Sequence, residues 1–143
     1  PSFTENATRN AYEEKLKCLA EAYPAATDNG QKIDGSRTAV EAFSDAAGVT
    51  AAYHAFQDRL KQEPSPQLPA LELSPEQLFF IGYAQSMCEN IRDERFINAN
   101  GTSTSAPNRL RVLMTVQQMP EFSQAFSCAS DTPVQEAKKC HVW

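Results

Sequence analysis

The chain has 143 residues, a formal net charge of −5, 41% hydrophobic residues and 22% charged residues. That length and balance suit one folded domain over 1–143 with its own core, and exclude both default disorder and a mini-protein that must be stapled to fold. The acidic surface argues against nucleic acid or an anionic membrane as the main partner, and no apolar run approaches the ~20 residues of a membrane-spanning helix.

Ser2-Phe3-Thr4-Glu5 has the pattern of a capping box. Behind it Tyr12, Leu16, Leu19 and Tyr23 recur at helical spacing, which predicts a helix over 4–23. Pro24 ends it, and the polar stretch to Gly35, with Asn29-Gly30 and Asp34-Gly35, predicts a loop or turns. Thr38-Ala39-Val40-Glu41 reads as a second capping box, opening a helix that runs to residue 62 through Phe43, Ala47, Tyr53, Phe56 and Leu60. The Pro-rich segment Glu63 to Pro69 breaks it and serves as a stiff connector.

Ser74-Pro75-Glu76-Gln77 is a third capping box, with Pro at the first helical position. The run Leu78 to Ala84 is apolar nearly all round, the mark of a buried helix. Residues 97–106 form a polar loop. Pro107 then opens a short helix carrying Leu110, Leu113, Val116 and Met119, and after Pro120 one or two more turns bring Phe122 and Phe126 inward. No strand periodicity and no internal repeat stand out. The expected fold class is a compact, all-α, disulfide-bonded helical domain.

The cysteines are Cys18, Cys88, Cys128 and Cys140, and the only histidines are His54 and His141. No CxxC pair occurs, so spacing excludes a zinc finger and a thioredoxin-type redox site. An even, widely spaced set suits disulfides in an oxidising compartment. Two N-glycosylation sequons agree with that, at Asn6-Ala7-Thr8 and Asn100-Gly101-Thr102. A secreted or extracellular protein is the expectation. The chain begins at Pro1 with no Met and no signal-peptide pattern, which reads as a mature or trimmed product.

Four segments then resemble one family in the right order. Gly35-x-x-Thr38-x-x-Glu41-x-x-x-Asp45-x-x-Gly48-x-x-x-Ala52-Tyr53 resembles the GxxTLGENIADxGGxxxAYxA segment of the zinc metallopeptidase family M13, that of neprilysin and endothelin-converting enzyme. Gln77 to Cys88 resembles its QLFFxxFAQxWC, Phe122 to Cys128 its EFSxxFxC, and Cys140-His141-Val142-Trp143 its terminal CxVW. The resemblance covers nearly the whole chain and corresponds to the C-terminal part of a full family member.

In that family two histidines of a HExxH helix and the Glu of ExxxD hold zinc, and the Glu of HExxH acts as general base on the bound water. The resemblance therefore implies Glu41 as the third zinc ligand, Asp45 as the carboxylate that orients a ligand histidine, and Arg111 as the substrate-binding arginine. The family's transition-state histidine falls at or beside Ser105, and no histidine lies in that loop. No HExxH exists in the chain, since the family places it upstream of Pro1. The resemblance also implies a Cys18–Cys140 disulfide, which closes a loop worth roughly 4–5 kcal/mol in the chain-entropy model. Family partners for Cys88 and Cys128 lie outside this chain, so these two either pair with each other or bond to another chain.

Catalytic zinc needs three protein ligands plus water. His54 lies 13 residues beyond Glu41 on one helix, roughly 20 Å away at 1.5 Å per residue, so the two cannot share a metal. His141 has no ligand spacing. Glu41 has a second explanation, as the third residue of a capping box, and Glu41 and Asp45 one turn apart repel mildly, by about 0.2–0.5 kcal/mol. Arg111 reads equally as a solvated surface arginine.

The expected function is that of a secreted, non-catalytic module that binds a protein, peptide or small ligand, with no cofactor. The alternative is the C-terminal chain of a split or processed zinc metalloendopeptidase, whose zinc site a HExxH-bearing chain completes. A storage or structural role is a third. In each case the apolar surface around Leu78–Ala84 needs cover, from a partner or by self-association into an oligomer.

Overall fold

The computed structural model describes residues 5–22, 27–28, 31–63, 68–90 and 105–142. Helix α1 spans Asn6–Ala22. The expected box at Ser2–Glu5 lies outside the described residues, apart from Glu5. A two-residue antiparallel ribbon follows, with β1 (Thr27–Asp28) on β2 (Gln31–Lys32) in the register Thr27↔Lys32 and Asp28↔Gln31. It occupies the stretch expected as loop or turns.

Helix α2 spans Gly35–Gln62. Its start corrects the second capping box. Asp34 is the N-cap, its side chain accepting from the Ser36 N–H at 3.0 Å. Thr38 sits inside the first turns, buried, with its hydroxyl on the Asp34 and Gly35 carbonyls. The pair Asp34-Gly35, which reads as a turn, instead opens a helix: an Asp followed by a short residue makes an N-cap as readily as a bend.

Helix α3 spans Pro75–Ser86 and carries the expected capping box in full: the Gln77 N–H donates to Ser74 Oγ and the Ser74 N–H donates to Gln77 Oε1. The expectation that Leu78–Ala84 is buried all round does not hold. Phe80 alone of that run is buried; Gly82 and Ala84 are exposed and the others half-buried. Hydrophobicity sets how much apolar surface seeks cover, not whether the cover is in the same chain.

Helices α4 (Asn108–Gln118), α5 (Pro120–Ala125) and α6 (Pro133–Glu136) complete the described elements. The contacts fix the directions. Glu41 meets Ala106 and Asp45 meets Arg111, so α2 and α4 run the same way. Tyr83 meets Thr115, and Glu89, just past α3, meets Asn108, so α3 runs antiparallel to α4.

Two apolar clusters lie along the α2–α4 seam. The first gathers Leu19, Ile33, Ala42, Ala46, Leu110, Met114, Cys140 and Val142. The second is aromatic: Tyr53, Phe80, Val116 and Met119 with Phe56, Phe79, Phe122 and Phe126 around them. Phe80 stacks on Tyr53 at 5.2 Å and meets Phe122 edge-on at 5.3 Å. Above this cluster a groove of about 370 Å³ stays open, lined by Ile81 and Ala84 of α3, Val112 and Leu113 of α4, and Phe122 and Phe126 of α5, among others.

The tail is strapped down. Cys140 is bonded to Cys18 of α1 with a Cα–Cα distance of 5.7 Å. The Gln118 side chain clamps the strap like a strand neighbour, accepting from the Cys140 N–H at 2.7 Å and donating to the Lys138 carbonyl at 3.0 Å. The Lys139 ammonium donates to the carbonyls of Val134, at 2.6 Å, and Gln117. Burial lowers its proton affinity. Among the described residues no helix is long and apolar enough to cross a membrane.

Candidate functional site

The residues implied by the ExxxD motif and by Arg111 do come together, at the end of the molecule where α2 and α4 both begin. Glu41 and Asp45 sit one turn apart on α2 and share a face. Arg111, on the first turn of α4, reaches between them. Its Nε and Nη2 donate to the two Asp45 oxygens at 2.8 Å each, a bidentate fork, and its Nη1 lies 3.3 Å from Glu41 Oε1. Hydrogen bonds from Asp45 hold the Arg111 proton more firmly than usual, and Glu41 adds to the effect. The side chains retain 22% (Arg111), 18% (Glu41) and 12% (Asp45) exposure. Arg111 is therefore no solvated surface residue, and the repulsion between the two carboxylates is offset by the cation between them.

Glu41 has further partners that sequence reasoning missed. Ser105 Oγ donates to Glu41 Oε1 at 2.8 Å, and the Ala106 N–H donates to Oε2 at 2.9 Å. Both oxygens of this carboxylate are thus engaged within the chain, and the capping-box role for Glu41 is not what holds it. Just beyond, the Asn108 N–H donates to Glu89 Oε1 at 2.8 Å. Helix α4 has no side-chain cap of its own at Pro107, so Glu41 and Glu89 bring acceptors and negative charge to its positive end from outside.

Behind the cluster the Tyr83 hydroxyl donates to Thr115 Oγ1 at 3.2 Å. Burial raises the Tyr83 proton affinity, the Thr115 hydrogen bond lowers it, and the charges of Asp45 and Arg111 also reach this hydroxyl. The sequence offered one signal here. The family motif has Phe where this chain has Tyr83, and an added hydroxyl on a half-buried ring needs a partner.

The other singled-out residues lie elsewhere. His54 is an exposed residue of α2, 3.6 Å from Glu121. His141 is exposed in the strap, with a positive φ of 43°. Asn6 is exposed at the start of α1, and Asn100 lies outside the described residues. The Cys18–Cys140 bond is made as the resemblance implies. The intrachain alternative for the remaining pair is not: Cys88 is an exposed free thiol and Cys128 a half-buried one.

The donor set fits zinc poorly by itself. Glu41 is the one carboxylate the resemblance assigns to metal, and three donors from this chain already crowd its oxygens. Among the described residues no group of three or more His, Cys, Asp or Glu could hold a metal ion. What the cluster can do on this geometry is fix the entrance of α4 against α2.

Comparison with known proteins agrees with the geometry. The profile of peptidase family M13 matches residues 2–142. Human endothelin-converting enzyme-like 1 is 37% identical over 130 residues, covering 90% of this chain and 17% of that protein. Human neprilysin is 32% identical over 145 residues, covering 99% of this chain and 19% of its own length. The chain thus spans less than a fifth of these relatives. Among solved structures, a chain of the Haemonchus galactose-containing glycoprotein complex superposes with a TM-score of 0.87 at 26% identity, over 96% of this chain and 24% of that one. The matched segment, the Glu41–Asp45–Arg111 cluster and the shared helical fold place this chain in peptidase family M13.

Proposed function

We propose that this chain, by itself, is a non-hydrolytic module of the M13 fold that works by binding a protein, peptide or small ligand in an extracellular setting. The observation that carries this reading is the state of Glu41. Both of its oxygens are engaged by Ser105, Ala106 and Arg111, and Ser105 stands at or beside the place where the resemblance puts the transition-state histidine. Losing one such donor costs about 10²–10³ in rate. The Cys18–Cys140 bond supports the oxidising compartment. Purified chain incubated with excess zinc and then desalted is expected to hold far less than one zinc per chain by elemental mass spectrometry, and to leave a quenched fluorescent peptide uncut. Stoichiometric zinc together with chelator-sensitive cleavage would overturn the proposal.

A second reading is favoured by the uncovered α3 face and the two free thiols. Here the chain is the C-terminal part of a zinc metalloendopeptidase, and a HExxH-bearing segment, in the same polypeptide or another, completes the site. On that reading Glu41 would serve as a zinc ligand and Asp45 and Arg111 as supporting groups. Non-reducing purification from the natural source is expected to bring down a HExxH-bearing polypeptide joined through Cys88 or Cys128. Recovery of a lone chain with both thiols free to alkylation would rule this reading out.

A further inference from the structure

We propose that the cavity where α1, α4 and α6 meet binds a peptide through one basic side chain, its aliphatic stem in the cavity and its cation on Glu136; this names a partner for the binding reading above and rests on that reading. The cavity has a volume of about 440 Å³. That is near the low end of the ~300–1,000 Å³ of ligand pockets, room for one long side chain and a stretch of the backbone that carries it. Leu113 and Met114 of α4, Ala22 of α1 and Ala137, just past α6, give it apolar walls. Met114 is buried, but Leu113 keeps 39% exposure, a large apolar side chain left uncovered at a concave site. The Cys18–Cys140 bond and the Gln118 clamp tie α1, α4 and the strap together before any ligand arrives, so binding has little left to order.

Glu21, Glu136 and Lys138 supply the charges of the lining. The Lys138 ammonium is committed to Glu21 Oε2 at 2.7 Å. Two carboxylates against one ammonium leave one negative charge in excess. It falls on Glu136, which is exposed and has no ion-pair partner among the described residues. An anion at the rim with apolar walls behind it complements a lysine or arginine side chain, which buries its methylene stem and keeps its charged head near water. An uncharged apolar ligand would dehydrate Glu136 and return nothing to it, and an acidic ligand would meet it as a like charge.

The test is a ¹H–¹⁵N NMR titration of the whole, disulfide-intact chain with a capped pentapeptide carrying one lysine among alanines. Two matched probes replace the lysine, one by norleucine, which keeps the four-carbon stem and lacks the ammonium, the other by glutamate. The lysine peptide is expected to shift the amide signals of residues 113–118 and 136–138, and to bind more weakly as salt is added. The norleucine peptide should bind about 3–5-fold more weakly, the scale of a solvent-exposed charge pair, and the glutamate peptide more weakly still. Glu136→Gln should erase the difference between the lysine and norleucine peptides, and Glu136→Lys should reverse the preference toward glutamate. Position 136 is exposed, so neither change disturbs the core. Equal affinity for lysine and norleucine, tighter binding of the glutamate peptide by the parent chain, a response that Glu136→Gln leaves unchanged, or no shift of these signals overturns the proposal. Signals here that move with protein concentration alone would put a second copy in the cavity and overturn it as well. The titration reads neither zinc uptake nor cleavage, so its failure is distinct from a failure of the non-hydrolytic reading.

Discussion

Arg111→Ala is expected to lower stability by about 2–4 kcal/mol at neutral pH, somewhat under the 3–5 kcal/mol of a fully buried pair because these side chains keep partial exposure. The variant removes the cation that Asp45 binds through two hydrogen bonds and that Glu41 approaches at 3.3 Å. It leaves two carboxylates one turn apart, facing each other in a partly dehydrated seam. Urea titrations of variant and parent give the difference directly. Arg111→Lys should fall between them, since an ammonium keeps the charge and loses the fork. Arg59, whose ion pair with Glu63 is 75% and 73% exposed, makes the control: breaking that pair should cost no more than about 1 kcal/mol. A deficit for Arg111→Ala no larger than the control would mean that the cluster contributes no packing of α4 on α2.

Removing the Cys18–Cys140 bond by Cys140→Ser should cost about 4–5 kcal/mol, since the bond closes a loop with a sequence separation of 122. For a chain of this size that corresponds to a fall in melting temperature of roughly 10–20 °C. The remaining ties of the strap do not replace it. Its polar ties to α1, the Lys138–Glu21 pair and the bond from Lys15 Nζ to the His141 carbonyl, are exposed, and the Gln118 clamp and Lys139 hold the strap to α4 and α6 rather than to α1. Differential scanning calorimetry of parent and variant, the parent with and without reductant, measures the effect. A fall of only a degree or two would show that the apolar packing of Leu19 and Val142 holds α1 to the strap without the bond.

The parts of the fold that depend on neighbours in sequence were legible. The Ser74–Gln77 box is written in four consecutive residues, and it forms as read. Prolines at 75, 107 and 120 mark helix starts because their missing N–H is harmless there. Where the deciding partner is distant, the reading failed or stayed open. Thr38 and Glu41 matched a capping pattern, yet Asp34 does the capping and Glu41 turns to Ser105 and Ala106 across more than sixty residues. Arg111 could be weighed only through its place in a family motif, because nothing near it in sequence says that Asp45 is its partner. The apolar run of α3 was read as buried because hydrophobicity reports demand for burial. The supply depends on residues that pack against Ile81 and Ala84, and these stay partly or fully exposed.

Helix α4 shows what such distant dependence means for assembly. It has eleven residues, below the ~12–15 at which an isolated helix holds itself in water. Its positive end is served by carboxylates from α2 and from the segment after α3, and its negative end by an ammonium from the strap. No residue at Pro107 closes the first turn. This helix is therefore a product of the tertiary structure rather than a building block for it. It can form only when α2 is in place at one end and the tail has come home at the other, so the last residues of the chain decide whether its central seam exists at all.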